Sequence, residues 1–152
     1  MGKCVWGGGA IPIIFLDTKM TGIQIITSTV VPEHERMDTV ERIFGIKYVL
    51  QLEPCIFRLA EDIAANYSGG YWHFNVLSNG GFYMAPAPDT IFDVSCDNGY
   101  VGKLSADALG LVACLYTYSH LAFGDGDFAM TCAEQYHLLR EYMFDHPEVR
   151  AI

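Results

Sequence analysis

A chain of 152 residues with 51% apolar and 18% charged side chains can build one self-supporting domain and is too apolar to stay disordered. Eighteen acids against nine bases give a formal net charge of −9, which excludes the basic footprint of a nucleic-acid reader. No apolar run approaches the roughly 20 residues of a membrane-spanning helix, and five scattered cysteines without a CxxC pair fit buried thiols in a reducing cytoplasm.

Residues 1–30 read as an irregular N-terminal arm. The run Ala10-Ile11-Pro12-Ile13-Ile14-Phe15-Leu16 is short, holds Pro12 and leads into Asp17 and Lys19, so it does not have the form of a secretion signal. Residues 31–152 read as the folded domain. Pro32-Glu33-His34-Glu35 opens a helix with its acids at the favourable end. Met37, Val40, Ile43 and Phe44 recur at helical spacing, and Gly45 stops it. Pro54 suits the first turn of a second helix, whose apolar stripe is Ile56, Phe57, Ala60, Ile63, Ala64 and Tyr67.

The period then changes to two. Tyr71 to Leu77 is rich in strand formers, Ser78-Asn79-Gly80-Gly81 follows, and Phe82 to Ala85 returns before Pro86 and Pro88. A two-residue Asn79-Gly80 turn places Trp72, Phe74, Val76, Tyr83 and Ala85 on one face. It places Tyr71, His73, Asn75, Leu77, Phe82 and Met84 on the other. A second hairpin runs from Ile91 to Cys96, turns at Asp97-Asn98-Gly99, and returns from Tyr100 to Leu104.

Ser105 is a strong N-cap, and Asp107 stands in the first turn of a helix to Ala122 that is apolar almost all round and therefore buried. After Gly124-Asp125-Gly126, a last helix to Asp145 turns Phe128, Cys132, Tyr136, Leu139 and Met143 inward, and His146-Pro147 ends it. Strands flanked by helices without βαβ alternation predict an α+β fold. The expected form is an antiparallel meander of three to four strands covered by four to five helices in a single domain.

Three stretches carry a family resemblance: Tyr71-Trp72-His73-Phe74 with Leu77 to Pro86; Leu104-Ser105-Ala106-Asp107-Ala108-Leu109-Gly110; and Tyr136 to Arg140 followed by His146-Pro147-Glu148. Together with Pro32-Glu33-His34-Glu35-Arg36, they resemble the ArdB/KlcA antirestriction proteins of plasmids and mobile islands, from about Val31 onward. The resemblance implies a small cytoplasmic protein that relieves type I restriction–modification of incoming DNA. It implies no cofactor and no enzymatic activity, and the partner would be the type I restriction enzyme or an associated host factor. Neither nucleic acid nor membrane is an expected partner.

Charge bears on how such a protein could act. About 12 base pairs of duplex carry roughly 24 phosphates, one per ~1.7 Å of axis. Eighteen acids diluted by nine bases fall short of that density. An acidic DNA mimic and a small hydrolase or metal enzyme centred on His73 stand as alternatives. For the latter, Glu134 and His137 lie three apart on a helix but supply only two ligands. The aromatic hairpin is the expected interaction surface, with Tyr71, His73, Asn75, Asn79, Phe82 and Met84 as its candidate residues, because Tyr, Trp and Met are enriched at interface centres.

Overall fold

A computed structural model describes residues 24–152, so residues 1–23 of the expected arm, with the run Ala10 to Leu16, lie outside the described part. Strand β1 is Ser28–Val30, a short segment placed within the irregular arm by the sequence and found here as the edge of a sheet. A 3-10 turn (Glu33–Glu35) precedes helix α1 (Arg36–Phe44), whose Val40 and Phe44 are buried while Met37 faces out. A π-helical turn over Tyr48–Leu52 runs directly into α2 (Glu53–Ile63), a feature that the Pro54 signal did not reveal. Helix α2 ends before the expected Tyr67, because Ala64 leaves it to bridge Val94.

Strands β2 (Trp72–Leu77) and β3 (Phe82–Pro86) continue from β1 as an antiparallel sheet in the order β1-β2-β3. Strands β4 (Ile91–Ser95) and β5 (Val101–Ser105) form a separate two-stranded sheet rather than extending the same meander. Helices α3 (Ala106–Leu121) and α4 (Gly126–Met143) complete an α+β fold with four α-helices among the described residues.

The first hairpin differs from its expected register by one residue. Leu77 N–H donates to the Gly81 carbonyl, Gly80 N–H donates to the Leu77 carbonyl, and Gly80 has φ +95°. This is a three-residue loop closed by a left-handed glycine, not a two-residue turn. A slip of one residue exchanges the faces of the whole return strand. Phe82 and Met84 therefore join Trp72, Phe74 and Val76, while Tyr83 and Ala85 join His73 and Asn75.

The first face is the aromatic core. Phe44 meets Phe82 edge-on at 5.7 Å between ring centroids, and Tyr48 meets Phe74 at 5.9 Å. Among the described residues the second face is covered at one end, by α4, where the Tyr142 ring lies 5.8 Å from that of Tyr83. On α4 the inward residues include Cys132 and Leu139 as expected. Gln135 is buried between them, and Tyr136 is half-buried.

Helix α3 runs along the free edge of β3. Odd-numbered β3 residues turn their backbone N–H and C=O groups toward β2, so those of Phe82 and Met84 point outward. Tyr118 Oη donates to the Phe82 carbonyl at 2.7 Å, and Met84 N–H meets Cys114 Sγ at 3.3 Å. Two side chains one helical turn apart thus satisfy a sheet edge that would otherwise be left without partners in the core. Gly110 permits this approach, since a Cβ there would stand 2.3 Å from the Met84 carbonyl oxygen. The other sides of α3 face β4 and β5, where Ala108, Leu109 and Val112 pack with Phe92 and Leu104. The helix is apolar all round because it divides two cores.

Candidate functional site

Where α4 stops covering the second face, the sheet floor opens into a hollow of about 310 Å³, at the lower end of small-ligand sites. His73, Asn75 and Ala85 form its floor and Val30 its rim. The Pro86–Asp89 segment makes one wall, and Ala106 and Asp107 make the other. The prolines set this wall: Pro86 ends β3 and Pro88 cannot continue a ladder, so the chain turns outward and leaves Asp89 exposed.

Asn75 is 95% buried, at 5% relative exposure. Among the described residues its side-chain amide makes no hydrogen bond to a protein group, although it lines the hollow. Buried amides are ordinarily paired, and this one is placed to pair with a group that enters the hollow.

Asp107 is held from two sides. Tyr83 Oη donates to Oδ1 at 2.7 Å, and His146 Nε2 lies 3.0 Å from Oδ2. His146 Nδ1 accepts the Glu148 N–H at 3.0 Å, so a neutral ring carries its proton on Nε2 and donates to Asp107. Burial, reinforced by the Asp107 carboxylate against an opposing hydrogen bond from Ser28, raises the Tyr83 phenol far above its ordinary value and keeps it a donor. The adjoining tail is fixed as well. Glu148 accepts Ser105 N–H at 3.0 Å and bonds the Ser105 hydroxyl, which in turn accepts Ala108 N–H at 3.1 Å as the helix cap. The sheet, the start of α3 and the segment after α4 therefore meet at one carboxylate.

The expected surface residues separate. His73 and Asn75 line the hollow and Tyr71 is exposed. Phe82 and Met84 are fully buried and cannot be surface residues, because the register slip turns both into the aromatic core. Asn79 sits at the far end and pins the hairpin: it donates to the Leu138 carbonyl at 3.0 Å and accepts Gly81 N–H at 3.0 Å. Glu134 and His137 are exposed on α4, and among the described residues no group of three His, Cys, Asp or Glu side chains could hold a metal ion. Cys114 is occupied with the Met84 backbone, and burial pushes its thiol up to about 12. Asp89 and the Tyr83–Asp107–His146 link were not found from sequence. The adjacent Ser105 cap signalled Asp107 only as a helix-start residue.

The described residues contain no helix long and apolar enough to cross a membrane. A family model described as "Antirestriction protein" matches residues 65–152. The chain is 44% identical over 131 residues to the uncharacterized protein YafX of Escherichia coli K12, covering 84% of this chain and 85% of YafX. It is 36% identical over 132 residues to an antirestriction protein KlcA of Escherichia coli, covering 85% and 93% of the two chains. A solved structure of this group superposes with a TM-score of 0.78 at 37% identity, covering 85% of this chain and 93% of the other. That work describes the KlcA and ArdB proteins as having a novel fold and antirestriction activity against type I DNA restriction systems in vivo but not in vitro.

Proposed function

As the chain belongs to the ArdB/KlcA family of antirestriction proteins, we propose that it relieves type I restriction of incoming plasmid or mobile-element DNA in the cytoplasm, without catalysis and by contact with a protein. The partner is the restriction enzyme or an associated host factor. The solved relatives' activity in cells but not in vitro supports a route that needs a further cellular component.

The observation that carries contact over mimicry is the fate of the carboxylates. Asp93 is paired with Lys103, Asp107 is bound by Tyr83 and His146, and Glu148 is bound to Ser105. Others are divided among α1, α2, the second hairpin and α4. Imitating a duplex requires charges about 1.7 Å apart along one axis, whereas these acids are dispersed over separate elements and Asp93 faces an opposite charge.

Two measurements test this reading. Expression in cells carrying a type I system is expected to raise the transformation efficiency of unmodified plasmid and leave that of modified plasmid unchanged. An equal effect on both plasmids, or none, overturns it. In a gel shift at physiological salt the purified chain is expected to leave duplex DNA unbound, and submicromolar binding contradicts the contact mechanism.

A further inference from the structure

We propose that the hollow beside Asp107 receives the charged end of an arginine or lysine side chain from the protein partner. The partner's being a protein rests on the reading above; the chemistry of the hollow rests on its own residues. Its walls carry two carboxylates, Asp89 and Asp107, and its lining contains neither lysine nor arginine. Asp107 keeps acceptor capacity after taking bonds from Tyr83 and His146, since a carboxylate offers about four lone-pair sites. Its side chain is 45% exposed and can reach an incoming donor. The Asn75 amide adds an acceptor oxygen that among the described residues has no protein partner.

The features that would favour an anion are the start of α3, with its partial positive charge of roughly half a unit, and the N–H donors of His73 and Asn75. That charge is already opposed by the full charges of Asp107 and Glu148, and Ser105 caps the first turn. An anion entering the hollow meets net negative charge, whereas a guanidinium or ammonium meets acceptors on opposite walls. The opening also suits one side chain rather than a strand or helix: its floor is three sheet residues, bounded by a two-proline wall.

The experiment titrates capped arginine and capped lysine into the isotope-labelled full chain and follows amide signals by NMR, with capped glutamate as control. Saturable shifts are expected for the Asn75 side-chain amide and for Asp89 and Ala106. They should weaken up to about fivefold in Asp89→Asn, the effect of one partly exposed ion pair. Because Asp89 is exposed, this variant keeps the fold where a change at Asn75 could lose it. No saturable shift, or equal binding of capped glutamate, overturns the inference whatever cells report. Probe binding by a chain that gives no relief of restriction leaves the hollow's chemistry standing and overturns the antirestriction reading. Relief that survives Asp89→Lys unchanged overturns the hollow as the docking point.

Discussion

Gly110→Ala sets two effects of opposite sign against each other. In an exposed helix the change adds about 1 kcal/mol of stability, because glycine is the poorer helix former. At this position the new methyl would lie 2.3 Å from the Met84 carbonyl oxygen and 2.6 Å from Ala85 Cα, both backbone atoms that no rotamer change can move. Relieving the overlap requires α3 to withdraw from β3 by about 1 Å, and overpacking of this kind costs about 1–3 kcal/mol. Withdrawal also stretches the Tyr118–Phe82 and Cys114–Met84 bonds, each worth about 1 kcal/mol. The balance is a loss of about 3 kcal/mol. With a urea slope of about 2 kcal/mol per M, the unfolding midpoint should fall by about 1.5 M. Equilibrium urea unfolding followed by circular dichroism measures it. A midpoint equal to or above that of the parent chain would refute the close approach of helix and strand.

Tyr118→Phe leaves the Phe82 carbonyl without a donor; a loss of about 1–3 kcal/mol should lower Tm by about 3–8 °C in a thermal scan. Ser105→Ala removes both the α3 cap and a partner of Glu148, and should cost about 1–2 kcal/mol by the same scan; an unchanged Tm contradicts the cap. Burial raises the Cys114 thiol to about 12; burial, then Cys55, raises that of Cys132 to about 11. The unfolded chain therefore ionises these thiols first. Their stabilisation is intact below about pH 8.5 and is lost as pH rises toward 11–12, so urea midpoints should fall over that window. Replacing both cysteines with alanine should flatten the decline, and an equally steep one would assign it to other groups. A thiol reagent at neutral pH should modify Cys55 in the native protein and reach Cys114 only after unfolding, as mass spectrometry of the labelled peptides would report.

Local signals in the chain were clear where one residue determines one geometry. Ser105 announced the start of α3, the uninterrupted apolar run announced its burial, and Asn79-Gly80 announced a hairpin. The register was not legible, because Ser78-Asn79-Gly80-Gly81 satisfies a two-residue and a three-residue loop alike. Hydrogen bonding by Leu77 and the pinning of Asn79 on α4 decide between them. That single step moved Phe82 and Met84 out of the expected surface and brought Tyr83 to Asp107. The split into two sheets was equally hidden, since it depends on α3 occupying the β3 edge where another strand could have paired. His73 and Asn75 could be picked out as polar residues in an aromatic strand. The walls that make a site of them come from residues 86–89 and 106–107, joined to the strand only by tertiary packing.

The clamp on the start of α3 has a consequence during synthesis. Ser105 and the Glu148 that binds it are 43 residues apart. At about 5–20 residues per second, translation takes roughly 2–9 s to cover that interval. Helix α3 is made within that interval, after the strands and α2 that it packs against and before α4 and the acid that secures its first turn. The helix therefore meets most of its partners before its first turn is secured, so substitution of Glu148 should slow the last step of folding without preventing α3 from packing on β3.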